Sequence, residues 1–265
     1  MGRLGAAFVA LLLAACSPAT LAEVVPIPAP TTAPAPESPA PDAPAPPAVE
    51  VATAAPAPVT AESLPVGWTL AAKTGDELAV RVFPGAPFVS RTIPAATILG
   101  TRTVVRVLEG PRDGWARVSL PGRPNGGTGW VVASELELFE VDRAVLVELG
   151  EFRLTVTVAG EPVLTTPVAV GSPRNPTPTG EFYVTDVVDT GNPGGPWGPH
   201  AFGLSARSDT ITEFNGGDGI IAVHGTNRPS SIGGAASLGC VRVPNEISMA
   251  LAELLVPGVP VTIVP

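Results

Sequence analysis

Cys240 lies in Ser237-Leu238-Gly239-Cys240-Val241-Arg242, and His224 lies sixteen residues before it, at the end of the apolar run Ile220-Ile221-Ala222-Val223. A free thiol is mostly protonated at neutral pH, and a neighbouring imidazole can take its proton and make it a nucleophile. Gly239 lets the backbone come close to a reacting carbonyl, so the amides of Leu238, Gly239 and Cys240 are candidates for an oxyanion hole. Arg242 presents a planar fork of donors suited to a carboxylate. Ser237 would orient this loop or hydrogen-bond a substrate, and Asn227, three residues past the histidine, joins the candidate binding residues. No acid is evident beside His224, so a backbone carbonyl would have to fix its tautomer. Against all this stands the plainer reading of Cys240 as a buried, inert thiol.

The 265-residue chain has only two cysteines and two histidines. That excludes a disulfide framework and a zinc-finger type of ligand set, and the absence of a CxxC pair argues against a thiol redox protein. No metal or cofactor is expected. A net charge of −9 with 15% charged residues argues against binding nucleic acid through its phosphates. The second histidine, His200, sits with Trp197 in the Gly- and Pro-dense stretch from Gly194 to Gly203, which reads as a loop. These two either line a substrate cleft or belong to a surface loop with packed aromatics. Arg207 and Arg228 read as solvated or paired.

The elements that must position these residues are mostly strands. Arg143–Leu149 and Phe152–Val158 flank a tight turn at Gly150-Glu151. Val163–Val170, Phe182–Val188, Ile220–Val223 and Val259–Val264 also read as strands. One helix is clear, because Ile247, Ala250, Leu251, Leu254 and Leu255 repeat at helical spacing; Asn245 is its expected N-cap and Pro257-Gly258 its stop.

The preceding part of the chain divides into three. Residues 1–16 open with Arg3 and a short apolar run, the pattern of a secretory signal. Residues 17–62 are rich in Ala and Pro, carry five acids and no Lys or Arg, and have no pattern that would bury a core. Such a proline-rich spacer reaches at most on the order of 140 Å. Residues 63–139 show short runs (Leu78–Val82, Val104–Leu108, Trp115–Leu120, Trp130–Val132) separated by turn signals at Pro84-Gly85, Gly110-Pro111, Asp113-Gly114 and Asn125-Gly126-Gly127. They predict a small β-barrel. From Leu64 to Phe139 there are eight basic and six acidic residues, so this is the net-positive part of the chain.

Three resemblances follow from these segments. Leu13-Ala14-Ala15-Cys16 looks like a bacterial lipobox, which implies that Cys16 is lipidated and that the protein is exported and anchored to a membrane of the cell envelope, facing the periplasm or wall. Leu78–Gly85, Asp113–Val118 and Gly129–Val131 resemble a bacterial SH3-like domain. That domain would contact an anionic wall polymer, although Trp115 and Trp130 read first as packing residues. His224-Gly225-Thr226-Asn227, Ser231-Ile232-Gly233, Ser237–Arg242 and, upstream, Pro176–Tyr183 resemble the L,D-transpeptidase (YkuD-like) catalytic domain over roughly residues 140–265. The resemblance implies a mainly β sandwich with one packed helix. It also implies a Cys240 nucleophile, His224 as general base and the Gly225 carbonyl orienting it. Its substrate class is peptidoglycan stem peptides: the thiolate attacks a tetrapeptide stem at the third residue, D-alanine leaves, and an amine acceptor takes the acyl group. Many members carry histidine directly before the Gly-Cys pair, where this chain has Leu238. That departure keeps a second reading open, a wall-binding lipoprotein whose catalytic domain is inactive or hydrolytic.

Overall fold

The computed structural model describes residues 59–214 and 217–265, which fall in one compact unit. The signal segment, Cys16 and nearly all of the 17–62 spacer lie outside the described residues. A 3-10 turn at Ala61–Ser63 already carries specific contacts: Glu62 accepts a hydrogen bond from the Gly110 amide at 3.1 Å and pairs with Arg112. Packing thus begins just before the boundary at 63.

The N-terminal module has seven strands: β1 (Thr69–Thr74), β2 (Leu78–Val80), β3 (Arg91–Ile93), β4 (Val104–Arg112), β5 (Trp115–Ser119), β6 (Thr128–Val132) and β7 (Leu136–Val141). Five of them form an antiparallel sheet in the order β6-β5-β4-β1-β7, and β2 and β3 pair as a separate hairpin. Its core is small and aliphatic, with Leu70, Leu78, Val80, Val105, Val107, Val118 and Val131 almost fully buried. Gly110-Pro111, expected as a turn, instead lies inside β4 at a register shift; the turn comes two residues later, where Asp113 and Gly114 both have positive φ.

The C-terminal half contributes β8 (Arg143–Glu148), β9 (Arg153–Val158), β10 (Glu161–Pro167), β11 (Val170–Gly171), β12 (Gly180–Asp189), β13 (His200–Arg207), β14 (Ile220–His224), β15 (Ala235–Ser237), β16 (Val241–Arg242), helix α1 (Asn245–Leu254) and β17 (Pro260–Val264). Eight of these form one sheet in the order β10-β9-β8-β17-β12-β13-β14-β16, and β11 pairs with β15. The protein is therefore mainly β with one α-helix among the described residues, as its patterning predicts. Helix α1 buries Leu251 against this sheet's core.

Three expectations need correction. The β8–β9 connection is a four-residue turn, Leu149–Phe152, with Phe152 in the left-handed region (φ 48°), so it is looser than a two-residue hairpin. Residues 200–203, read as loop, begin β13, which runs between β12 and β14. Five consecutive residues of β13, Phe202–Ala206, are buried, so the strand has no alternating pattern to betray it. Asn245 is the first residue of α1, and Pro244 holds the N-cap position.

The two halves share a core. Ala71, Val104 and Val141 of the N-terminal module pack in the same cluster as Val145, Phe182 and Val261. Gly258 (φ +101°) makes the approach possible, because a Cβ there would sit 2.8 Å from Ala71 Cβ and 3.1 Å from Val104 Cγ1. Buried Tyr183 donates its hydroxyl to the Ser119 carbonyl at 3.3 Å, and Thr97 donates to buried Asp186 at 2.5 Å.

Candidate active site

His224 ends β14. That strand pairs antiparallel with β13 on one side and parallel with the two-residue β16 on the other, where Val223 faces Val241 and His224 faces Arg242. The parallel register brings the end of one strand beside the start of another, and so sets Cys240, the residue just before β16, next to β14. The Cys240 thiol faces that strand's backbone, with Sγ 4.0 Å from the Ile220 carbonyl oxygen.

The turn that carries the thiol is tied from within and from outside. Ser237 Oγ donates to the Cys240 carbonyl at 2.5 Å and accepts from the Gly239 amide at 3.0 Å. Gly239 has φ +118°, a left-handed conformation that disfavours any side chain, and a Cβ there would lie 3.0 Å from Ile221 Cδ1. Its carbonyl accepts a 2.8 Å hydrogen bond from Thr177 Oγ1, which itself accepts from the Gly171 amide.

His224 is 5% exposed. Its Nδ1 lies 2.5 Å from the Gly225 carbonyl oxygen. A carbonyl can only accept, so Nδ1 carries the proton and Nε2 presents its lone pair. The Trp197 ring lies against the imidazole at 4.7 Å and meets Phe214 edge-on at 6.2 Å. These residues surround a cavity of about 340 Å³. Trp197, Ile211, Phe214 and Ile220 give it apolar lining; Asn227, Arg228 and Arg242 give it polar lining; Leu238, half exposed, stands at its edge.

A family model for the L,D-transpeptidase catalytic domain matches residues 142–263. Over 148 residues the chain is 33% identical to Bacillus subtilis YkuD, named as a candidate L,D-transpeptidase; the match covers 56% of this chain and 82% of that protein. This chain belongs to the YkuD family of L,D-transpeptidase catalytic domains. Bacillus subtilis YqjB, named in the same way, is 34% identical over 107 residues, covering 36% of this chain and 56% of that protein. Among solved structures, the L,D-transpeptidase from Mycobacterium smegmatis aligns over 71% of this chain and 99% of its own, with 19% identity and a TM-score of 0.38. An Enterococcus faecium L,D-transpeptidase mutant aligns over 47% and 50%, with 22% identity and a TM-score of 0.36.

Within this YkuD-family site, burial sets the protonation states. Burial pulls the His224 pKa down to about 4, with Arg242 adding to the effect and the Gly225 carbonyl opposing it. Burial also pushes the Cys240 thiol up, against the lowering influence of the Ala222 backbone and Arg242. Both directions favour a neutral thiol beside a neutral imidazole, not a resting thiolate–imidazolium pair. Arg242 is cationic but poorly satisfied: its Nε is buried without a hydrogen-bond partner, and among the described ion pairs neither Arg242 nor Arg228 takes part.

The structure gathers Cys240, His224, Asn227, Ser237, Leu238 and Arg242 around this cavity, and adds Arg228, which is exposed as expected and also lines it. Trp197 lines it too, whereas His200 does not; the His200 carbonyl accepts from the Gly225 amide at 3.2 Å. Arg207 is paired with Asp218. Two supporting residues escaped the sequence reading. Thr177 belongs to the Pro176–Tyr183 segment, yet only the fold shows that it bonds Gly239. Asn245 was assigned to helix capping, but its side chain accepts from the Thr226 amide at 2.7 Å and donates to the Pro193 carbonyl at 3.0 Å, holding the segment after His224. Gly225 is required beneath it, since a Cβ would come 2.5 Å from Asn245 Oδ1.

The low pKa of His224 has a consequence for stability. Its folded value, about 4, lies below the ordinary 6.5, so protonation favours the unfolded chain. The stabilisation is full above pH 6.5 and is lost as pH falls through 4, amounting to about 3 kcal/mol. Urea unfolding at pH 7 and pH 4 is expected to show a smaller loss for His224→Gln than for the wild type. Equal losses would mean that His224 is not buried as a neutral ring.

Proposed function

We propose that the chain is an L,D-transpeptidase acting on peptidoglycan stem peptides, with Cys240 as nucleophile and His224 as general base. The observation that carries this reading is the convergence, in one cavity, of a thiol, an imidazole with its Nε2 lone pair free, and an arginine with a buried, unpartnered Nε.

In the first step Nε2 of His224 takes the Sγ proton as sulfur attacks the carbonyl of the third stem residue. Proton transfer belongs to the attack, because both groups rest in neutral form. The Gly225 carbonyl steadies the imidazolium through Nδ1–H. The Gly239 amide is already taken by Ser237, which removes it from the expected oxyanion donors and leaves the amides of Leu238 and Cys240 for that task. The tetrahedral intermediate collapses, the C–N bond to D-alanine breaks, and the leaving amine takes its proton from His224. A thioester to Cys240 remains. An acceptor amine then attacks it, gives a proton to His224, and releases the amide product and the thiol. Arg242 and Arg228 suit the terminal carboxylate of the donor stem. Leu238 places an apolar side chain on the rim, and it motivates the second reading: resolution of the same thioester by water, or no turnover.

Upstream of this site, Cys16 is proposed as a lipidated N-terminus holding the exported enzyme at a membrane of the cell envelope. The N-terminal module is proposed as an SH3-like domain that contacts the wall polymer. Its positive balance supports this.

Three experiments test these roles. Incubation with a disaccharide tetrapeptide is expected to release D-alanine and form a cross-linked dimer visible by mass, and Cys240→Ala should abolish both. Release without dimer would favour hydrolysis, and equal release by both proteins would remove Cys240 as nucleophile. One solved L,D-transpeptidase structure is a complex with imipenem. This chain is expected to gain a single imipenem mass increment on Cys240; labelling elsewhere, or none, would favour an inert module. Radiolabelled palmitate is expected to enter the full chain, and label retained in Cys16→Ser would disprove lipidation at that residue.

A further inference from the structure

The N-terminal module reaches the rim of the cleft through the connection between β5 and β6. Arg123, on that connection, donates through one terminal nitrogen to the carboxylate and carbonyl of Asp218, and through the other to the carbonyls of Ser208 (2.7 Å) and Ile211 (3.1 Å). Two residues on, the Asn125 side chain donates to the Arg207 carbonyl at 2.8 Å and to Asp209 at 3.2 Å, and it accepts from the Arg207 amide at 2.8 Å. The Gly122 amide donates to the Ser205 carbonyl at 2.9 Å.

All the Arg123 acceptors lie on the chain that leaves β13 and enters β14. That chain closes its own neck with a hydrogen bond from the Ser208 amide to the Gly219 carbonyl at 2.8 Å. The neck is crowded, since a Cβ on Gly219 (φ +55°) would collide with the Ile211 carbonyl oxygen at 2.0 Å and approach Arg123 Nη2 at 3.3 Å. Beyond the neck, Ile211 and Phe214 line the cleft, and Phe214 packs on the Trp197 that covers His224. By contrast, Cys240 and His224 are set by the β14–β16 register, Ser237, Thr177 and Asn245, none of which is hydrogen-bonded to Arg123.

We propose that Arg123, supported by Asn125, is a positioning residue for the reaction: the N-terminal module clamps the neck between β13 and β14 and thereby holds the apolar wall against which substrate binds. Arg123 acts through Ile211 and Phe214 and does not touch substrate. A guanidinium suits this task because its fork serves several acceptors at fixed angles, whereas an ammonium is a point charge. The kinetic side of the proposal rests on the transpeptidase reading, and the structural side does not. Because wall and nucleophile are held by separate contacts, loss of the clamp should weaken substrate binding more than the chemical step.

The test uses the full chain with Arg123→Ala, Arg123→Lys and Asn125→Ala, reading amide hydrogen exchange together with kcat and KM for the tetrapeptide. For Arg123→Ala, exchange at residues 208–214 and KM are each expected to rise about tenfold, the scale of one or two lost charge-assisted hydrogen bonds, with β12 and β17 protected as in the wild type and kcat within about threefold. Arg123→Lys should recover part of this, and Asn125→Ala should show the same pattern more weakly. Asn125→Ala also keeps the proposal open to failure if Arg123→Ala does not fold. Unchanged exchange and KM, or a fall in kcat alone, would overturn it. If the wild type releases no D-alanine while Arg123→Ala still loosens 208–214, the clamp stands and the transpeptidase reading falls.

Discussion

The short parallel pairing of β16 against the end of β14 is the constraint on which the rest depends. Two residues, Val241 and Arg242, lie beside Val223 and His224, and that register alone decides that Cys240 comes to rest near an imidazole sixteen positions earlier. A two-residue ladder is too short to hold itself, so its surroundings over-determine it. Arg242 exchanges backbone hydrogen bonds with Ala169 at 2.8 and 2.9 Å, Val243 donates to the His224 carbonyl, and Thr177 bridges Gly171 to Gly239. The glycines follow from the same demand for closeness. Gly225 and Gly239 stand where a methyl group would meet Asn245 or Ile221.

Burial of this pair has two effects that pull in opposite directions. Desolvation makes the thiol a weaker acid and the imidazole a weaker base at rest, which costs nucleophilicity. It also keeps the thiol protonated and therefore less prone to oxidation. On the proposed reading, a bound substrate carbonyl would exclude water and offer its developing negative charge to backbone amides, and a carboxylate would pair with Arg242. The unsatisfied guanidinium beside the cavity is thus a cost in the empty protein that a carboxylate would remove.

That Cys240 and His224 belong to one candidate site was legible in the sequence because their residue types are scarce. With two cysteines and two histidines, the pair bearing strand and glycine context stood out. Most strands of the C-terminal half and the helix followed from periodicity. What stayed hidden was of two kinds. β13 is buried on both faces and contains Gly203, Ser205 and two alanines, so neither alternation nor β-branched residues announce it. Thr177, Asn245 and Arg123 are ordinary polar residues whose importance lies in partners 62, 19 and 85 to 95 positions away. No local pattern encodes such separations; only the assembled sheets do.

The same separation explains why the two halves behave as one body. A module joined only by a linker would keep a polar surface of its own, yet here Ala71, Val104 and Val141 are counted in the catalytic core, and Tyr183 reaches across to Ser119. Burying Tyr183 fully without a hydroxyl partner would cost about 1–3 kcal/mol, so that bond fixes the relative placement of β5 and β12 as well as satisfying the ring's polar end. Once the sheets are registered in this way, the β5–β6 connection falls against the exit of β13, and Arg123 finds carbonyls that no element of the C-terminal half had satisfied. The wall of the cleft is therefore a product of the interface, and the interface is a product of a glycine, a tyrosine and a few aliphatic side chains outside the lining of the cleft.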